Sequence, residues 1–235
     1  MQYHSLISGN IELFKFLYSL IIILICGVIV LKTNKLFKLS LHQGIRYFRN
    51  AFFFFGLAFG FRYILGSRII SEILISNKNY FIMIILFEFF LIMAGISLFY
   101  SLIWRKFEKS DQGSFSSLFN GKMFLFYLMA IIISVLDYLW ASYLLMFASQ
   151  IILFGFASVI SYINYRKKGE KHKFLKYYFV AMILIFSVWI LNALLVLYLD
   201  WNRAVLGNVY LINIFVFILF LFGVIIVTRK KRDEK

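Results

Sequence analysis

Met123–Tyr165, MFLFYLMAIIISVLDYLWASYLLMFASQIILFGFASVISYINY, holds 43 residues with no Lys or Arg and one carboxylate, Asp137. A spanning helix takes about 20 mostly apolar residues, so the stretch is too long for one crossing. Arg105, Lys106, Lys109 and Lys122 precede it, and Arg166, Lys167, Lys168, Lys171, Lys173 and Lys176 follow it. Basic flanks stay on the cytoplasmic side of a membrane. With both flanks on that side the number of crossings between them is even, and the length accommodates two. The turn is expected around Asp137–Tyr143, where Asp137, Tyr138, Trp140 and Tyr143 suit the membrane interface. No Gly or Pro marks it.

The same reading extends outward in both directions. Spans are predicted at about 14–31, 47–66, 80–104, 123–139, 143–165, 174–199 and 209–227, all within a single domain covering 1–235. Leu20–Cys26 has the look of a signal-peptide core, but Lys32, Lys35 and Lys38 follow it without a small-residue cleavage site, so it reads as a retained anchor. The predicted fold is an all-α membrane protein, a seven-transmembrane helix bundle with the amino terminus outside and the carboxyl terminus cytoplasmic. The expected location is the cell membrane.

Composition points the same way. Apolar residues make up 63% of the chain and charged residues 15%. A soluble domain has about 45–50% and about 25%. Lipid is therefore the expected solvent, which excludes a soluble enzyme, a nucleic-acid-binding domain and a disordered chain. The net charge of +15 follows from topology: the inner segments carry 20 of the 25 basic residues and 5 of the 10 acidic ones. A lone cysteine, Cys26, forms no internal disulfide. The residues before it do not resemble a lipoprotein processing site.

The loops are too short for folded domains. Among them, Lys32–Asn50 is expected to lie along the headgroups as an amphipathic stretch, with Leu36, Phe37, Leu39 and Leu41 among its lysines. Leu65–Asn79, with Arg68 and Glu72 at i,i+4 spacing, either extends the second helix or lies at the outer interface. The basic run Arg166–Lys176 is expected to fix orientation and do nothing more, with attraction of anionic lipid as the alternative.

Glu88 is the sharpest polar signal, a carboxylate about a third of the way into the third helix. Such a group is costly against lipid and is expected to face protein. Gly95, seven residues on, shares its face and suits close helix packing. Arg62 lies at comparable depth on the neighbouring second helix, so an Arg62–Glu88 ion pair is expected, either locking two helices or serving a ligand or proton. Gln150, Asn192 and Asn213, with Trp189 one turn before Asn192 and Tyr210 before Asn213, place further polarity in the outer half. Together, Arg62, Glu88, Gln150, Trp189, Asn192 and Asn213 are the candidate lining of a cavity open to the outside. The alternative is that the amides bond neighbouring helices. Gly56–Gly60 forms a GxxxG and is expected to mark a tight crossing.

Catalytic and cofactor signatures are missing from the sequence. His4, His42 and His172 lie outside the predicted helical cores, so no haem pair is expected. There is no HExxH, no Cys–His cluster, no Gly-x-Ser-x-Gly and no Gly-rich phosphate loop, so no metal, cofactor or catalytic residue is expected. The seventh helix carries no lysine for a retinal Schiff base. The animal receptor family shares the topology but not its motifs, since the third helix ends Trp104-Arg-Lys106 and the seventh lacks Asn-Pro-x-x-Tyr.

His42–Arg62, HQGIRYFRNAFFFFGLAFGFR, resembles a stretch found in uncharacterised prokaryotic seven-helix membrane proteins. The general layout is similar to the seven-helix sensor regions of histidine kinases. The resemblance implies a receptor-like or sensory module; no output domain follows Lys235, so signalling is expected to pass through a membrane or cytoplasmic protein at the basic inner face. Two alternatives stand beside it: a scaffold subunit of a larger membrane complex, and a small-solute transporter. Against transport, helices 1–3 and 5–7 show no internal similarity and the chain has no Pro to break a helix at a binding site. A lipid enzyme built on Glu88 or Asp137 would lack a partner base or metal.

Overall fold

The structure is a computed structural model that describes residues 2–40, 43–66, 77–107, 121–140, 142–168, 173–198 and 203–233. These form seven α-helices: α1 (Gln2–Ser40), α2 (Gln43–Gly66), α3 (Asn77–Phe107), α4 (Gly121–Trp140), α5 (Leu144–Lys168), α6 (Lys173–Tyr198) and α7 (Arg203–Asp233). Among the described residues, six of them, all but α2, are long and apolar enough to cross a membrane. Phe124 and Leu125 on α4, Phe156 on α5 and Phe215 on α7 are among many large apolar side chains left exposed. Water would not tolerate so continuous an apolar surface, and the chain is a multi-pass helical membrane protein.

Consecutive helices run antiparallel, as ring contacts at both ends show. Phe16 in the first half of α1 meets Tyr63 near the end of α2, at 4.9 Å between ring centroids. Tyr47 early in α2 meets Tyr100 late in α3 at 4.6 Å, and Phe81 early in α3 meets Tyr138 late in α4 at 5.9 Å. Phe147 early in α5 meets Trp189 late in α6 at 5.9 Å. α7 closes back on α1, and α3 packs on α5 as well as on its neighbours α2 and α4. α4 packs on α3 and α5 and leaves the rest of its surface outward.

α2 is less apolar because Arg46, Arg49, Asn50 and Arg62 lower its hydropathy, yet Phe53 is the one exposed side chain among those described on it. The opposite face of α2 carries Phe48, Phe52, Phe55 and Phe59, all buried, against Phe217 and Phe220 of α7. Phe48 also reaches Tyr178 of α6 at 5.9 Å. In lipid the interior of a bundle need not be more apolar than its exterior, because helix packing rests on van der Waals contact and hydrogen bonds. A helix walled in by protein escapes the hydropathy requirement that its neighbours meet.

The α4–α5 connection falls where the sequence placed it. α4 ends at Trp140 and α5 starts at Leu144. In the absence of Gly the reversal uses Tyr143 in the left-handed region, at φ 55°. Asp137, buried, stabilises this strained turn: its carboxylate accepts the backbone N–H of Leu145 at 2.9 Å and of Met146 at 2.5 Å. Both amides belong to the first turn of α5, whose N–H groups have no partner within the helix.

Three expectations change. Residues 32–50 do not lie along the surface: 32–40 complete α1 and 43–50 open α2, with Thr33, Leu36, Tyr47 and Asn50 buried between them. α1 extends to both sides of 14–31, and α7 continues to Asp233. The Gly56–Gly60 pair is not a tight crossing. A Cβ at Gly56 would meet Cys26 Cβ at an ordinary 3.5 Å, and one at Gly60 would meet nothing within 4 Å. The close approach of α2 is at Gly44 instead, where a Cβ would lie 2.6 Å from Trp104 Nε1 and 3.1 Å from the Ser101 carbonyl oxygen of α3. Arg68 and Glu72 lie outside the described residues, as does the side chain of Tyr210.

Candidate functional site

Most polar side chains inside the bundle find partners close at hand. Thr33 Oγ1 donates to the Ile29 carbonyl at 2.6 Å, Ser101 Oγ to Leu98 at 2.6 Å and Ser134 Oγ to Ala130 at 2.8 Å. Such back-bonding satisfies a hydroxyl inside its own helix. Ser158 Oγ reaches across from α5 to the Met182 carbonyl of α6 at 3.0 Å.

Glu88 breaks this pattern. It is 0% exposed, and neither carboxylate oxygen has a hydrogen-bond partner. At 3.6 residues per turn, Glu88, Leu91 and Gly95 share one side of α3. Gln150 of α5, also 0% exposed, lies against that side. Its Nε2 donates to the Leu91 carbonyl at 3.4 Å, while its Oε1 is buried without a partner. A Cβ at Gly95 would stand 2.6 Å from Oε1. Glycine at 95 is what lets the amide lie flat on α3, one to two turns from Glu88.

Tyr143 of the α4–α5 connection lies close enough to the Glu88 end of this seam to feel its charge. The residue sits outside both flanking spans, and its phenol is pushed above the usual range by burial first, then by Glu88, Tyr80 and Asp137. Unlike Glu88, Asp137 spends both oxygens on the first turn of α5. The two carboxylates differ in state: one holds a turn together, and the other is bare.

The expected Arg62–Glu88 ion pair is not formed. The Arg62 guanidinium instead stands over the Phe87 ring, 5.9 Å from its centroid. Phe87 and Phe90 face α2, as the contacts of Phe90 with Phe54 and Phe61 show. One residue is about 100° of helix, so Glu88 is turned away from α2 toward α5. Matching depth put the pair together in the sequence; helical phase separates it.

Of the other candidates, Trp189 is buried and packs edge-on to Phe147, one turn before Gln150 on α5. It therefore backs the Gln150 side of the seam. Asn192 and Asn213 are half-buried. They neighbour Leu195 and Ile212, which pack together where α6 meets α7. The structure thus joins Glu88 with Gln150, puts Trp189 behind them, and leaves Arg62 and the two asparagines on other seams. Among the described residues no group of His, Cys, Asp and Glu has the makings of a metal site. Sequence reasoning put Asp137 at the interface and missed its capping role, which shows only once the start of α5 is known.

Fold and site together define a multi-pass helical membrane protein with a bare buried carboxylate on its third helix. The chain is 27% identical over 186 residues to an uncharacterised protein of Archaeoglobus fulgidus, covering 75% of this chain and 76% of that one. This accords with the resemblance to uncharacterised prokaryotic membrane proteins; no resemblance to a histidine kinase sensor region is shown. No protein-family model matches the chain, and no solved structure does.

Proposed function

We propose that the chain crosses the cell membrane seven times, α2 included, with its amino terminus outside and its carboxyl terminus in the cytoplasm. In this reading it is a receptor-like sensory module without catalytic activity. A small ligand is taken in the outer half of the bundle, and the signal passes to a protein partner at the basic inner face. The observation that carries the reading is the bare Glu88 carboxylate beside the unpartnered Gln150 Oε1, in a bundle whose hydroxyls are otherwise mostly satisfied. Buried ionisable groups inside membranes are expensive and mark ligand or ion sites. The two Glu88 oxygens and Gln150 Oε1 are all acceptors when Glu88 is ionised. The ligand they fit is a hydrogen-bond donor of positive charge, a small amine or an alkali cation.

Titration of the protein in lipid discs with small amines and alkali cations tests this. At least one should raise the melting temperature, and Glu88→Gln should remove the shift. Absence of any shift, or a shift equal in Glu88→Gln, would eliminate the ligand role. The scaffold reading would then stand, and a stoichiometric membrane complex retained through native purification would bear it out.

A further inference from the structure

We propose that the end of the α1–α2 hairpin opposite Glu88 holds a binding site for a phosphate-bearing anion, with Arg46 and Arg49 as its ligands. Residues 32–50 contain Lys32, Lys35, Lys38, Arg46 and Arg49 and no Asp or Glu. Arg46 and Arg49 are three residues apart and share one face of α2. Both guanidiniums stand over one ring, Phe37 of α1, at 5.6 and 5.8 Å from its centroid. Two like charges are thus gathered at one aromatic face.

Neutral amides hold the arrangement. Arg49 Nη1 donates to Asn34 Oδ1 across the hairpin at 2.8 Å, and Nη2 to Asn50 Oδ1 at 3.3 Å. Arg46 Nη1 reaches Gln43 Oε1 at 3.5 Å. These bonds orient the guanidiniums without cancelling their charge. The two carboxylates with described side chains, Glu88 and Asp137, lie toward the other end of the bundle. Planar guanidinium forks match the oxygens of a phosphate, and two of them held in place bind it with little ordering cost. Lys32, Lys35 and Lys38 are exposed on α1 beside the pair and add to the local positive field. The ligand chemistry is a phosphate mono- or diester, carried by a lipid headgroup or by a soluble phosphate.

The full chain in phosphatidylcholine discs, with and without phosphatidylglycerol, provides the test. Phosphatidylglycerol retained on release into detergent is read by native mass spectrometry, and inorganic phosphate is titrated against melting temperature in a separate arm. Retention of phosphatidylglycerol over phosphatidylcholine is expected, falling by about tenfold or more in Arg46→Gln. Arg46 carries the test because its amide tie lies within its own helix, whereas Arg49→Gln also cuts the link to Asn34. Arg166, an exposed guanidinium on α5, is the control, and Arg166→Gln should leave retention within about twofold, as diffuse attraction predicts for one charge among many. A melting shift with inorganic phosphate that disappears in Arg46→Gln would put a soluble phosphate in the same site. Equal losses in Arg46→Gln and Arg166→Gln would overturn the proposal. So would the absence of both headgroup preference and phosphate response.

Discussion

Phe52→Ala should lower the stability of the bundle by about 2–4 kcal/mol, while Phe53→Ala, one residue on, should change it by less than about 0.5 kcal/mol. Phe52 is fully buried at the meeting of α2 and α7, with its ring 5.1 Å from Phe220, 5.9 Å from Phe217, 4.8 Å from Phe48 and 6.0 Å from Phe55. Truncation opens a cavity and removes edge-to-face contacts that each contribute about 0.5–1.5 kcal/mol. In water the loss of apolar transfer would add to this. In a bilayer the separated helices keep Phe52 in an apolar solvent, so the packing loss alone remains. Phe53 is 45% exposed on the outside of α2 and faces lipid before and after truncation. Unfolding titrations of both variants in the same lipid discs should separate them cleanly. Equal effects would mean that α2 is not the interior helix of the bundle.

Glu88→Met should raise stability by about 1–2 kcal/mol while abolishing the response to ligand. Methionine keeps the length and flexibility of the side chain and has no need of partners. Glu88 in the folded bundle is enclosed with both oxygens bare. When the helices separate, a carboxylate this far out along α3 can lean toward the interface and regain water. Folding therefore carries a desolvation cost that methionine avoids. The opposite sign, a loss of about 1 kcal/mol or more, would show that Glu88 has a stabilising partner, Arg62 included, and would turn the site from functional to structural.

Much of this architecture is legible because lipid imposes a simple rule on length and hydropathy. Parity requires a turn within Met123–Tyr165, interfacial side chains place it at Asp137–Tyr143, and the structure reverses there at Ser142 and Tyr143. Helical phase linked Gly95 to Glu88, and both line the α3–α5 seam with Gln150. Lateral packing was harder to read. Four successive phenylalanines, Phe52 to Phe55, look alike in the sequence, and only the direction of each neighbour tells Phe52 from Phe53. The Arg62–Glu88 expectation used depth along two helices and ignored rotation about α3, where Phe87 takes the α2-facing position. Gly56 and Gly60 satisfied a motif, but Gly44 makes the close approach because Trp104 stands opposite it. The Arg46, Arg49 and Phe37 grouping was hidden because residues 32–50 read as one surface stretch rather than the two arms of a hairpin.

Side-specific labelling tests most directly whether α2 is a seventh crossing. In a Cys26→Ser background, single cysteines at Ser40, Asn77 and Ser114 are challenged with a membrane-impermeant maleimide, first in intact cells and then after permeabilisation. Cys26 is buried, so its replacement removes background without touching the ends of the bundle. Asn77→Cys should label in intact cells, and Ser40→Cys and Ser114→Cys only after permeabilisation. Labelling of Ser40→Cys and Asn77→Cys from the same side would mean that α2 does not cross, leaving six spans and both termini of the chain on one face of the membrane.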